Sequence, residues 1–433
     1  MPAASKPRRE RQRIALVLAG GGARGAYEAG VLEGLAPVLA ANGQSPDIIV
    51  GTSIGALNGS FFAARADERL ELAAAAAVEM WRELRWGDAL RPLSSPAELA
   101  RLLAGAGMLA HLPGPGISGL LDSAPLRGTL EQRVSFERIT RNVQDGALTA
   151  AAVVATAYET TRSVVFHQGG PTIEPDVTRA IDYFSTNLKP EHVLASAAIP
   201  GAFPAVEIDE PQAATGWYSD GGVRLNAPLK PALTLGADRV IVIGLNSSVT
   251  PAAETTRTAK SRRPDVIDGV AQLLQVVLAD QLGEDVATLA TVNETLASAG
   301  SSAAAKRSAR KQRRRIPYIF IAPCDRLEIG RLARKVYKDR YSGIGGIARD
   351  SDLAGLGWLV NAGHSAVHGE LLSYLFLAHE FINELIARGR RDAERWLEAE
   401  HDAGLWQLGR LPTDRSGTPS TRPRPRERKP GAA

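Results

Sequence analysis

The sequence is nearly devoid of cysteine. Cys324 is the single one in 433 residues. That excludes an internal disulfide framework and suits a reducing compartment. Cys324 follows the strand-like run "IPYIFIAP" with no histidine beside it, which makes it a passive thiol. Long apolar runs are also missing. None approaches the ~18 residues of a membrane-spanning helix. The start, "MPAASKPRRERQRIALVLAG", turns from basic to apolar as a signal peptide does. Yet no small-residue cleavage site precedes its glycines, and later cleavage would remove them. A cytoplasmic protein, with peripheral contact to membrane as an option, is the expectation. Internal repeats are absent, and basic stretches lack interleaved aromatics, so no nucleic-acid partner is expected.

Positive charge is abundant only in patches. Residues 1–13 carry five basic side chains and one acidic, residues 306–315 ("KRSARKQRRR") seven basic, and residues 411–433 six basic and two acidic. These stretches hold a net +15 of a chain whose total is +4, so the remainder is about −11. The high isoelectric point therefore describes tails and one loop more than the folded body. The loop's Arg313, Arg314 and Arg315 are candidates for contact with anionic lipid head groups, with a solvated loop as the plainer reading.

Between these patches the pattern is α/β. The apolar runs "IALVLA" (14–19) and "DIIVG" (47–51) predict buried strands. Further strands are predicted at 151–159, 163–168, 239–245 and 317–323. Tyr27, Val31, Leu32, Leu35, Val38 and Leu39 recur at helical spacing until Asn42-Gly43. Strands alternating with helices predict a mainly parallel central sheet covered on both faces, followed by a mostly helical C-terminal region. The expected divisions are a basic tail (1–13), a catalytic unit (14–250), a linker with a helix and the basic loop (251–315), a further strand and helices (316–410), and a disordered Pro/Arg-rich tail (411–433).

Two glycine motifs follow the first two strands. Gly20-Gly21-Gly22-Ala23-Arg24-Gly25 also fits a dinucleotide fingerprint, but that needs an acidic residue at the end of the second strand. Asp47 lies at its start. The strand instead ends in Gly51-Thr52-Ser53-Ile54-Gly55, a G-x-S-x-G pattern on a strand-to-helix turn, the context that exposes a serine hydroxyl. Both motifs fall at the carboxyl ends of strands, where α/β sheets bind ligands. Backbone N–H groups of the glycine loop then suit an oxyanion made when Ser53 attacks an acyl carbonyl. Arg24 either braces this loop, meets a phosphate or oxyanion, or is solvated.

A serine nucleophile needs a base. None of the seven histidines sits in a turn that announces one. Asp220 does sit at such a turn, before Gly221 and Gly222 in "WYSDGGVRLNAPL". His364 and His368, four apart in "HSAVH", have metal-ligand spacing but no glutamate of the H-E-x-x-H type between them. Leu371, Leu372, Leu375, Phe376, Phe381, Ile382, Leu385 and Ile386 recur at helical period. Glu370, Glu380 and Glu384 lie among them where a membrane-surface helix would carry lysine or arginine, which favours packing on the domain.

Taken together, "GGGARG", "GTSIG", "SDGG" and the preceding "ASAAIPGAFPAVEID" (195–209) resemble the patatin-like phospholipases over residues 14–250. The resemblance implies hydrolysis of lipid acyl esters by a Ser-Asp dyad, with no metal or organic cofactor. It makes Ser53 the nucleophile, Asp220 the base and Gly20, Gly21 and Gly22 the oxyanion hole, with Arg24, Gly51, Gly55, Gly221 and Gly222 in support. Two rivals remain. One is a triad esterase that draws on His364 or His368. The other is a non-catalytic, membrane-associated regulatory protein that keeps the fold.

Overall fold

The structure, a computed structural model, describes residues 12–91, 119, 121–245, 282–299, 314–325, 327–362 and 366–411. Most of the basic N-terminal tail, most of 306–315, nearly all of the C-terminal tail and His364 lie outside the described residues.

The sheet contains β1 (Ile14–Leu18), β2 (Ile48–Thr52), β3 (Ala150–Ala157), β4 (Ser163–Gly169), β5 (Ile181–Ser185), β6 (Val206–Ile208), β7 (Gly216–Asp220), β8 (Arg239–Ile243) and β9 (Tyr318–Ile321). The main order is β5-β4-β3-β2-β1-β8-β9. Strands β3, β2, β1, β8 and β9 run parallel. Every residue of β1, β2 and β9 is buried, as continuous apolar runs require when both faces are covered. The predicted parallel sheet is present. Strands β5, β6 and β7 were not legible, because they are short and β5–β7 mix exposed with buried positions.

The pairing of β3 brings two chain ends together. Its one edge is occupied by antiparallel β4 along nearly all its length. Its other edge is shared. Strand β2 pairs with residues up to Val154, opposite Thr52, and antiparallel β7 takes over at Ala155, opposite Asp220. The carboxyl ends of β2 and β7 therefore meet head to head in one lane.

Helices cover the sheet. α1 (Gly25–Ala41) follows β1 and ends at Asn42 as predicted, α2 (Ile54–Ala64) follows β2, and α3 (Leu70–Glu83) packs on α1. α4 (Pro190–Ser196) and α5 (Gly222–Leu225) flank β7 in the chain. A helix over Leu282–Ala299 is the described part of the amphipathic stretch before the basic loop. Beyond β9 lie α6 (Glu328–Val336), α7 (Gly343–Arg349), α8 (Ser351–Leu359), α9 (Ala366–Ser373) and α10 (His379–Glu398). α10 lies along α1, and Tyr27 Oη donates to the buried Asp392 carboxylate at 2.8 Å.

The periodic apolar run from Leu371 to Ile386 does pack on the body, with Leu372, Phe376, Phe381, Ile382, Leu385 and Ile386 buried. It is divided between α9 and α10, however, and its Glu370 is buried rather than on a solvent face. The reason for both departures lies at the glycine loop.

Candidate active site

The β2–α2 turn holds Ser53 at φ 55° and ψ −123°. A side chain at positive φ is sterically costly and needs surroundings that enforce it. Here the turn is pressed against its neighbours at two glycines. A Cβ on Gly51 would fall 2.0 Å from Gly55 O, and one on Gly55 2.4 Å from Leu18 O. The Ser53 N–H donates to Ser196 Oγ on α4 at 2.8 Å, and that hydroxyl donates to Val154 O at 2.5 Å. The turn is thus tied to β3 through α4.

Asp220 ends β7 directly across the lane. Ser53 Oγ donates to Asp220 Oδ2 at 2.6 Å, and the Gly222 N–H donates to Oδ1 at 2.7 Å. Gly221 between them passes against Val154 O. Asp220 is 1% exposed. Burial pushes its carboxyl from 3.8 up to about 7, against the pull of the bonds from Ser53 and Gly222. A carboxyl titrating near neutrality, in contact with a serine hydroxyl, is suited to moving that hydroxyl's proton. Neither Ser53 nor Asp220 hydrogen-bonds a histidine among the described residues. His167 engages Gly169 O, His192 lies against Lys189 N and Glu210 O, and His368 Nδ1 lies 3.0 Å from Asn361 O.

The glycine loop lies beside Ser53. Its donors are unequal. The Gly20 N–H is used by Asn226 O at 3.2 Å and the Ala23 N–H by Tyr374 O at 2.7 Å. Those of Gly21 and Gly22 make no hydrogen bond among the described residues. Gly22 sits at φ 59°, and a Cβ there would strike Tyr374 O at 2.0 Å, so only glycine fits.

Arg24 points into the protein and is 1% exposed. Its Nε donates to Ser373 Oγ at 2.9 Å and its Nη2 to Glu370 Oε2 at 2.5 Å, while the Tyr374 ring lies 4.2 Å from the guanidinium carbon. The other Glu370 oxygen accepts from the Gly330 N–H at 2.6 Å. Glu370 therefore joins the glycine loop to α6. A buried arginine demands a buried anion, and this demand explains why α9 turns Glu370 inward and stops at Ser373. Of the alternatives for Arg24, the bracing position is the one it occupies.

Ser53 and Gly22 open onto a pocket of about 730 Å³, its mouth included. The wall is apolar: Ile54, Leu57, Trp81, Leu84, Leu90, Leu126, Leu194, Ile199, Phe203, Leu375 and Leu377 all face it. Such a lining accepts a hydrocarbon chain at about 0.8 kcal/mol per methylene buried.

Of the expected membrane contacts, Arg314 and Arg315 lie away from this pocket. Arg313 is outside the described residues. Arg314 pairs with Asp238 and donates to Ala237 O at 2.9 Å, at the amino end of β8 and so at the opposite end of the parallel strands from Ser53. Arg315 is exposed beside it. Among the described residues no helix is long and apolar enough to cross a membrane.

Sequence reasoning missed Ser196, Asn226, Glu370, Ser373 and Tyr374. Asn226 is buried beside Gly20, and its side-chain amide has no hydrogen-bond partner among the described residues. The one usable signal was Arg24 itself, since an arginine inside an apolar glycine turn requires an acid from somewhere in the chain.

Comparison with known proteins adds a family. No curated protein matches the chain. Among solved structures, VipD from Legionella pneumophila is similar at 13% identity and a TM-score of 0.27, over 72% of this chain and 61% of VipD. The chain thus spans less than two thirds of VipD's length, and so loose an overlay bears no weight here. The family model of the patatin-like phospholipases matches residues 16–233, half of the 433 residues, including Ser53, Asp220 and the whole glycine loop. The chain belongs to the patatin-like phospholipases, a family of lipid acyl hydrolases.

Proposed function

We propose that this protein hydrolyses acyl esters of phospholipids or lysophospholipids through a Ser53–Asp220 dyad and a covalent acyl-enzyme. One observation carries the reading: the 2.6 Å bond from Ser53 Oγ to a buried Asp220 carboxylate. Ser53 Oγ attacks the ester carbonyl as its proton passes to Asp220 Oδ2. The carbonyl oxygen becomes an oxyanion and meets the N–H groups of Gly21 and Gly22, each such donor contributing about 3 kcal/mol. The intermediate collapses, the C–O bond to the alcohol breaks, and the alcohol leaves with the proton from Asp220. Water then gives a proton to Asp220 and attacks the acyl carbon. The fatty acid departs and Ser53 regains its proton.

The apolar pocket holds the acyl chain in this scheme. Asp220, near 7 in the resting enzyme, serves as base and acid in turn without an imidazole. Its own bond to the Gly222 N–H orients it, which is the task a third residue performs in a triad.

A fluorophosphonate probe tests the nucleophile. Wild type should be labelled at Ser53 and release fatty acid from phospholipid or lysophospholipid, while Ser53→Ala does neither. His368→Ala should keep most of the activity. Equal labelling of wild type and Ser53→Ala, or a His368→Ala variant as inactive as Ser53→Ala, would overturn the dyad.

A further inference from the structure

Two short helices of the C-terminal region carry large apolar side chains outward. Ile344 and Ile347 of α7 are 88% and 61% exposed, and Trp358 and Leu359 at the end of α8 are 79% and 42% exposed. Each also has a glycine among its inward positions. A Cβ on Gly346 would lie 2.1 Å from Tyr341 O, and one on Gly357 2.0 Å from the Tyr337 ring. α8 also turns Leu353 and Leu356 inward, so it has more apolar residues than the core takes. In α7 a glycine inside and isoleucines outside reverse the usual amphipathic order, and in α8 large apolar residues lie on both sides. A cluster of this kind marks an interaction surface.

The surroundings indicate what it meets. Both helices rest on the turn Tyr337–Tyr341, which exposes Lys338 and Arg340, and Lys335 precedes it on α6. These three cations make no ion pair with any described residue; Asp339 is the one exposed acid of the turn, and Glu380 beyond it feels the charge of Arg340. Apolar side chains rimmed by unpaired cations match an anionic lipid surface, with tryptophan at the head-group level.

The surface is also joined to the pocket. Tyr341 packs edge-on against Phe376 at 5.4 Å between ring centres. Leu375 and Leu377, on either side of Phe376, line the pocket that Ser53 opens onto.

We propose that α7 and α8 dock on anionic lipid surfaces. Ile344, Ile347, Trp358 and Leu359 enter the interface, and Lys335, Lys338 and Arg340 meet the phosphates. The biological sense of this rests on the lipid-hydrolase reading, but the docking itself needs no turnover.

The test therefore begins in a Ser53→Ala background, by co-sedimentation with phosphatidylcholine vesicles with and without phosphatidylglycerol. Binding should favour the anionic vesicles and weaken with salt. Replacing Ile344 and Ile347 by Asp should weaken it at least about tenfold. Trp358 emission, taken as the difference from Trp358→Phe, should shift to the blue on binding. Replacing Lys335, Lys338 and Arg340 by Gln should abolish the preference for phosphatidylglycerol. In the active protein the paired Asp variant should raise KM on vesicles and leave turnover of a soluble short-chain ester unchanged. Unaltered vesicle binding by that variant would overturn the proposal. So would a variant whose only change is a smaller oligomer in sedimentation velocity, since the face would then be an interface between copies. Failure to hydrolyse any lipid would strike the enzymatic reading and leave the vesicle result standing.

Discussion

Replacing Asp220 by Asn should abolish hydrolysis and make the protein more stable. The carboxyl is raised from 3.8 to about 7 by burial. Between those two values the folded protein holds a proton that the unfolded chain has lost. For an acid raised on folding, stability falls as pH rises across that window, and the whole penalty stands above it. Three units at ~1.4 kcal/mol each make that penalty about 4 kcal/mol. Asn has nearly the same shape. Its carbonyl oxygen accepts the bond that Gly222 N–H gives to Oδ1, its amide meets Ser53 Oγ, and it has no charge to desolvate. Neutral bonds in place of charged ones return about 1 kcal/mol. The net gain at pH 8 is then ~3 kcal/mol, roughly 3 °C in Tm at an unfolding entropy of ~2 cal/mol/K per residue. Near pH 4.5 most of that gain should vanish, because wild-type Asp220 is protonated there as well. Calorimetry at the two pH values, with fatty-acid release measured on the same samples, reads both effects. Activity should fall at least about a thousandfold. An Asn variant less stable than wild type by the same amount at both pH values would refute the reasoning and make Asp220 a structural strut.

Two further outcomes are expected. For a soluble short-chain ester, kcat/KM should rise as pH passes through about 7, where Asp220 loses its proton in the free enzyme, and then level off; a flat profile would remove Asp220 as the base. Glu370→Gln leaves Arg24 buried without its counter-charge, which should destabilise the fold by about 3–5 kcal/mol and lower kcat with little change in KM, because Glu370 acts on the glycine loop and not on the lipid. Replacing Arg24 and Glu370 together by Met should restore most of the stability but not kcat, and recovery of both would reduce the pair to a fold support.

The features legible in the sequence are those with a local cause. β1, β2, β8 and β9 announce themselves because strands buried on both faces must be apolar throughout. Ser53 announces itself because its positive φ forces glycines into the flanking positions, which leaves G-x-S-x-G in the chain. β7 has no such cause. "GWYSD" is a short, half-polar strand among many possible ones. It positions Asp220 only because β2 stops at Thr52, opposite Val154, and leaves the rest of that edge of β3 open. Pairing of that kind is decided between strands and leaves no period in either. The exposed face of α7 and α8 is not legible in the sequence for a related reason. Charge runs are visible in a sequence, whereas exposure of Ile344 and Trp358 depends on which side of each helix the glycines turn to Tyr341 and Tyr337.

The same distinction applies to the partners of the glycine loop that lie beyond the family match. It stops at residue 233, yet the glycine loop takes its shape from residues far beyond that point. Tyr374 contributes a backbone carbonyl to the Ala23 N–H, a contact that any residue type makes equally well. Its imprint falls on Gly22, which must lack a side chain, and not on position 374. Glu370 is constrained more tightly, since Arg24 needs a carboxylate, but the anion can come from any element that reaches the guanidinium. In this chain the glycine loop's needs are therefore written at Gly22 and Arg24 and not at their partners. By this argument the C-terminal helices belong to the machinery of the site. They hold the glycine loop in place, and on the dyad reading proposed above a shift of the Gly21 and Gly22 N–H groups by a fraction of an ångström would cost much of their effect on an oxyanion.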